Sequence, residues 1–179
     1  MIEIIIVIAV LVMDQVSKVI CAGWLTQLPG NSYPLIEGVF HLTYVENRGA
    51  AFGMLQNARW FFLAITLCVC AYIVFLLIKE NKKMHKLMRV CLALILGGAL
   101  GNFIDRAVLG YVRDMLHFAL IDFAVFNVAD SALTVGTILF VCDLLFGKAR
   151  IYVGAANKTA KTTDSAAQDD SIQKTEDKD

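Results

Sequence analysis

The residues of this chain that could do chemistry are polar groups in or beside long apolar runs. Asp14 and Lys18 lie inside the first run, Asn102, Asp105 and Arg106 close the third, and Asn127 and Asp130 open the fourth; Asp114 stands between those last two. Two carboxylates brought together where water is scarce cannot both ionise cheaply, so one keeps a proton while the other stays charged. The charged one can take a proton from water, and the neutral one can hydrogen-bond a carbonyl and stabilise the developing oxyanion. That is peptide hydrolysis of the aspartic type, and it needs no nucleophilic side chain. A Ser17/Lys18 dyad is the competing scheme. Adjacent residues point about 100° apart on a helix of 3.6 residues per turn, which weakens it.

Taken singly, each residue also has an ordinary reading. A charge at the centre of a membrane helix costs about 2.5–3.5 kcal/mol, so each asks for a reason. Asp14 and Lys18, four apart with the acid first, can form an intrahelical ion pair. Asp105 sits near a helix C-terminus, where the macrodipole opposes a carboxylate, and needs Arg106 or Lys18 as partner; we read it as support. Asn127 is a good N-cap, and Asp130 three residues on is a capping acid favoured by the dipole. Asp114 alone would be a solvated loop acid. Together, however, these side chains collect at one membrane level, and that pattern favours a site. Asp143, beside Lys148 and Arg150, reads as an interface residue, while Asp122 and Glu37 read as surface acids.

The elements that must position these groups are membrane helices. The 179 residues are 58% hydrophobic, mean hydropathy is +0.66, and the apolar blocks approach the roughly 20 residues that cross a bilayer. The spacing predicts helices over Ile2–Leu25, Trp60–Ile78, Val90–Ile104 and Val128–Phe146. The first begins like a secretory signal, but it is too long and no small-residue cleavage site follows; nor does a lipobox precede Cys21, since Lys18 stands in its place. Gly97 and Gly101 give the third helix a small face for close packing. Lys79, Lys82, Lys83, Lys86 and Arg89 place the loop between the second and third helices in the cytoplasm, and Lys148 and Arg150 agree. Both termini are then cytoplasmic, segments 26–58 and 105–127 face outward, Trp24 and Trp60 sit in the outer aromatic belt and Tyr152 near the inner one. In segment 26–58, Pro29-Gly30-Asn31 reads as a turn. From Ile36 to Val45, Phe40, Leu42 and Tyr44 alternate with His41 and Thr43 as a half-buried strand does. The fold class expected is an all-α membrane protein of four transmembrane helices with a small extracytoplasmic β-sheet. Residues 154–179, without apolar periodicity, are expected to be a disordered cytoplasmic tail.

Several classes fall away. Net charge is zero, which gives no electrostatic case for nucleic acid. The five cysteines lie within apolar blocks without metal-site spacing, and His41, His85 and His117 lie in separate segments, so no metal and no cofactor is expected. A transporter would place its acids near the midplane between repeats, but no internal repeat is evident. A scaffold protein packing on glycine faces would not explain the ordered motifs set out below, and no Gly-x-Gly-Asp motif of presenilin-type proteases occurs.

The same residues form an ordered series: Asp14-Gln-Val-Ser-Lys18, Asn47-Arg-Gly-Ala-Ala-Phe-Gly53, Gly97-Gly-Ala-Leu-Gly-Asn-Phe-Ile-Asp-Arg106, the Val112-to-Asp114 stretch and Phe126-Asn-Val-Ala-Asp130. In order and spacing this resembles bacterial lipoprotein signal peptidase (signal peptidase II), and it covers essentially all of the chain before the tail. The resemblance implies a peptidase domain over 1–153 in the bacterial inner membrane. It also implies prolipoprotein substrates carrying diacylglycerol on a cysteine, with cleavage just before that cysteine in contact with the phospholipid bilayer. Globomycin-type inhibitors are expected in the same groove. It assigns catalysis to Asp114 and Asp130, and support to Asp14, Lys18, Asn47, Gly49, Asn102, Asp105, Arg106 and Asn127. Arg113 departs from the apolar residue usual between the valine and the aspartate; it either alters the local charge or points to solvent. The strand region and the Asn47–Gly53 loop are expected to form a lip over the substrate.

Overall fold

The computed structural model describes residues 1–49, 55–56, 58–79 and 84–147. Their elements run α1 (Ile2–Leu25), a 3-10 turn (Pro29–Asn31), β1 (Ser32–Ile36), β2 (Phe40–Asn47), α2 (Arg59–Lys79), α3 (Lys86–Val108), β3 (Val112–His117), a second 3-10 turn (Ala119–Ile121) and α4 (Val128–Phe146). All four helices are long and apolar enough to cross a bilayer, which makes this a multi-pass membrane protein.

Helix α1 is built inside out relative to a helix of a soluble domain. In α1 the buried residues are Glu3, Val10, Asp14, Lys18 and Leu25, recurring at helical spacing on one stripe. Ile5, Ile8, Val12, Val16 and Val19 are exposed on the other faces. The polar residues face protein, as an apolar solvent demands. Helices α1 and α4 match the spans read from hydropathy. Helix α3 begins at Lys86 rather than Val90 and ends at Val108 rather than Ile104, because polar side chains at both ends find partners. At one end Arg89 pairs with Glu3 of α1 at 2.5 Å; at the other Asp105 is held as described below.

Close approach in α3 depends on glycine. A Cβ on Gly101 would lie 2.6 Å from an Asp14 carboxylate oxygen, and one on Gly98 would lie 2.4 Å from the Ala129 carbonyl. Gly97 faces Val10, with a Cβ there 3.0 Å from the valine Cβ. The Gly97/Gly101 face therefore seats α1, and Gly98 seats the first turn of α4.

The sheet corrects the single strand expected over Ile36–Val45. Glu37–Val39 form a turn, with Gly38 at φ 69°, so the region is a hairpin of β1 and β2. Alternation alone does not reveal a turn of three residues, and Pro34 obscures β1; proline is tolerated there because β1 is an edge strand. The sheet is antiparallel with order β1-β2-β3. Strand β3 lies in a segment read only as a connection, because Val112, Asp114 and Met115 are all buried and leave no alternation to see.

By its contacts the chain divides into Met1–Leu139 and Phe140–Asp179. The described part of the second unit is the end of α4 and Gly147, where Asp143 is buried. Lys148, Arg150, Tyr152, the loop centre 80–83, the stretch 50–54 and the expected tail 154–179 lie outside the described residues.

Candidate active site

Asp130 is placed by the start of α4. Its amide N–H donates to the side-chain oxygen of Asn127 at 2.9 Å, and its Oδ2 accepts the Asn127 amide N–H at 3.2 Å. This is the reciprocal logic of a capping box, with aspartate in the third helical position. The capping reading of Asp130 is thus correct, and it leaves Oδ1 free to take a different partner: Asn102 Nδ2, at 2.7 Å.

Asp114 is placed by β3 and received by two amides. Asn47 Nδ2 of the adjacent strand β2 donates to Oδ2 at 3.0 Å, and Asn127 Nδ2 donates to Oδ1 at 2.6 Å. Asn127 therefore touches both acids, capping one and hydrogen-bonding the other. Asn47 has a second task, since its side-chain oxygen accepts the Gly49 amide N–H at 3.0 Å and turns the chain after β2.

Behind this front row lies a buried ion network. Lys18 Nζ, wholly buried, sits 2.8 Å from Asp14 Oδ2 and 3.4 Å from Asp105 Oδ2. It donates to Asn102 Oδ1 at 3.0 Å. A lysine only donates, so Asn102 must turn its oxygen to Lys18 and its NH2 to Asp130; Asn127, donating to the same oxygen at 3.1 Å, requires the same orientation. Asp14 also accepts the amide N–H of Ala129 at 2.9 Å, tying α1 to the first turn of α4. Ser17 gives its hydroxyl to the Asp14 carbonyl at 2.9 Å, and Lys18 is committed to carboxylates. A Ser/Lys dyad has no working geometry here.

Of the two partners expected for Asp105, Lys18 is in place and Arg106 is not. Beside Lys18 the structure supplies Arg113, not Arg106: Nη2 lies 2.7 Å from Oδ1, and Nε and the backbone N–H lie 3.2 and 3.0 Å from Oδ2. Arg113 also donates to Gln15 Oε1 at 3.0 Å, so it points into protein, not solvent. Gln15 donates in turn to Asp14 at 3.0 Å and to Asp105 at 3.3 Å. Sequence reasoning passed over Gln15, although an amide inside an apolar run was the available signal. Arg106 instead donates to the Gly49 carbonyl at 3.0 Å and lies over the Phe62 ring, 4.7 Å from its centroid.

Asp114, Asp130, Asn47, Asn102 and Arg106 line one cavity of about 610 Å³, with apolar walls from Val45, Val112, Phe123, Val125, Phe126 and Leu133. Burial pushes the Asp114 carboxyl up to about 7, and the neighbouring charge of Asp130 adds to the rise against the hydrogen bonds from Asn47 and Asn127. Asp122 is exposed and 3.9 Å from His117, and Glu37 is exposed in the hairpin turn, both apart from the cavity lining. Among the described residues, no group of three or more His, Cys, Asp or Glu could hold a metal ion.

Known proteins are similar to this chain in sequence and in fold. A sequence model of the family described as signal peptidase (SPase) II matches residues 6–146. The lipoprotein signal peptidase of Brevibacillus brevis is 48% identical over 135 residues, 75% of this chain and 89% of that protein. The one from Caldanaerobacter subterraneus subsp. tengcongensis is 49% identical over 143 residues, covering 80% and 95%. A solved structure described as a bacterial membrane enzyme has a TM-score of 0.72 at 38% identity, covering 80% of this chain and 87% of that one. Identity this high over nearly the whole described chain settles its membership: the chain belongs to the signal peptidase II family.

Proposed function

We propose that this chain is a membrane aspartyl endopeptidase that removes signal peptides from diacylglyceryl-modified prolipoproteins, cutting just before the lipidated cysteine. The observation that carries this reading is the pair Asp114 and Asp130, lining one cavity and joined through Asn127. The pair works with one proton between its members. The ionised carboxylate takes a proton from water as the water oxygen bonds to the scissile carbonyl carbon. The protonated carboxyl donates to the carbonyl oxygen, giving a neutral tetrahedral diol. Collapse breaks the C–N bond as the nitrogen of the new amino terminus takes a proton from the protonated member of the pair, while a diol hydroxyl gives its proton to the ionised member as the new carboxyl carbonyl forms, which restores the pair with its one proton. No covalent enzyme intermediate forms. Asn47, Asn102 and Asn127 hold the carboxylates in orientation, so little reorganisation is needed as charge moves.

The apolar wall of the cavity suits a substrate part of which stays in lipid. In the proposed topology both termini are cytoplasmic and the membrane is the bacterial inner one. The cavity then stands near the outer leaflet, where a diacylglyceryl cysteine would lie, with β1–β3 on the extracytoplasmic side. The basic loop Lys79–Arg89 supports this orientation. Globomycin-type inhibitors would occupy the same cavity.

The test is incubation of the purified chain with a lipobox peptide whose cysteine carries diacylglycerol. Mass spectrometry should show cleavage immediately before that cysteine. An intact modified peptide, or cleavage elsewhere, overturns the proposal.

A further inference from the structure

Arg113 is charged and nearly buried, and the mechanism just described does not use it. Its place in the strand suggests what it does. Strands β2 and β3 pair Leu42 with Leu116 and then Val45 with Asp114, so two β2 residues, Thr43 and Tyr44, stand opposite Met115. The ladder is thus interrupted immediately beside Asp114. A slip of one residue turns every side chain of a strand to its other face, and here it would take Asp114 out of the cavity.

Two anchors flank the irregularity. On one side the Phe126 carbonyl accepts the N–H groups of Met115 at 2.9 Å and Leu116 at 2.8 Å. On the other, Arg113 grips the Asp105 carboxylate with its backbone N–H, its Nε and its Nη2. A residue fixed to one carboxylate by both main chain and side chain has one position and one side-chain direction. Neighbours on a strand point to opposite faces, so Arg113 turned towards Asp105 leaves Asp114 turned towards the cavity.

We propose that Arg113 is the positioning residue that sets the register and face of β3 from which Asp114 acts; the inference rests on the peptidase reading of the same cavity. Helix α3 is then the common ruler of the carboxylate pair. Asn102 holds Asp130, and Asp105, three residues on along the same face, holds β3 through Arg113. Lys18 locks the two rulings together by reaching both Asn102 and Asp105. The fork matters more than the charge, because a lysine cannot span two carboxylate oxygens in one plane.

The full-length protein, the Arg113→Leu and Arg113→Lys variants and Asp114→Asn are compared on the diacylglyceryl lipobox peptide, reading kcat, KM and the pH profile of kcat. Arg113→Leu should lower kcat by about 100-fold with KM little changed, the loss that follows a misplacement of about 1 Å, and should shift the pH profile as Asp114 moves. Arg113→Lys should fall between it and the wild type. If Arg113→Leu yields no folded protein, Arg113→Lys alone decides, by a fall in kcat at unchanged KM. Wild-type kcat and pH profile in the folded variants overturn the inference, even if their melting temperatures drop. Failure of the peptidase reading is distinct: the wild type does not cleave, or Asp114→Asn cleaves normally.

Discussion

Asn127 and Asp114 are joined by a 2.6 Å hydrogen bond from the asparagine amide, and the oxygen of that same amide caps the helix that carries Asp130. One side chain thus has a structural task and an orienting task, and two substitutions separate them. Asn127→Ala should lose the cap, about 1 kcal/mol, and leave a buried acceptor without its donor, about 1–3 kcal/mol more. Asn127→Ser restores an oxygen for the cap but offers no amide to Asp114. It should recover about 1 kcal/mol, the share of the cap, without recovering turnover. Full activity in the serine variant would show that the bond to Asp114 does not matter for cleavage.

Asp14 and Lys18 form the intrahelical pair that their spacing suggests, at 2.8 Å, but each is also committed elsewhere. Asp14→Ala leaves the buried Lys18 with Asp105 as its remaining carboxylate, so the loss should stay below the about 3–5 kcal/mol of breaking a buried pair outright. Adding Lys18→Leu should recover only part of this, because the Ala129 N–H loses its acceptor in both variants, at about 1–3 kcal/mol. Equilibrium unfolding in detergent measures both. Recovery of wild-type stability in the double variant would mean that the bond between α1 and α4 contributes nothing.

The raised pKa of Asp114 fixes the sign of a pH effect. Its carboxyl titrates near 7 in the folded chain against 3.8 ordinarily, so between those values the native state holds a proton that the unfolded chain has released. The stability from this group is complete below about 3.8 and is lost as pH rises through about 7. Asp114→Asn removes the titration, so the variant's melting temperature should fall less than the wild type's between pH 4 and pH 7. Cleavage by the wild type should likewise decline as pH rises beyond about 7 and the pair loses its shared proton. Parallel melting curves for the two proteins over that range would contradict the burial of Asp114.

The boundaries of α1 and α4 were legible because hydropathy falls abruptly where each ends. Those of α3 were not, since Arg89 and Asp105 look like flanking charges until Glu3, Lys18 and Arg113 are seen beside them. The cluster itself was visible, because charged and amide residues in apolar runs stand out singly. The pairing was legible in part: Asp14 with Lys18 follows from their spacing, and Lys18 was one of the two partners expected for Asp105. Arg106, the other, is not beside that carboxylate, since neighbours on a helix diverge, and a residue eight positions on in the next strand takes its place. Strand β3 and the meaning of Arg113 were hidden for the same reason: both are defined by tertiary contact, and burial on both faces erases the alternation that marks a strand.

The measurement that bears most directly on the carboxylate pair is cleavage of the diacylglyceryl lipobox peptide by Asp114→Asn, Asp130→Asn and their double variant. Asparagine keeps the shape and the capacity to hydrogen-bond but cannot serve as a general base. Each single variant should insert and fold yet lose nearly all turnover. The double variant should be little worse, because groups acting as one unit are strongly non-additive. Asp122→Asn, altering an exposed acid outside the cavity lining, should remain active. Near-normal turnover by either single variant would contradict the assignment of Asp114 and Asp130 as the catalytic pair.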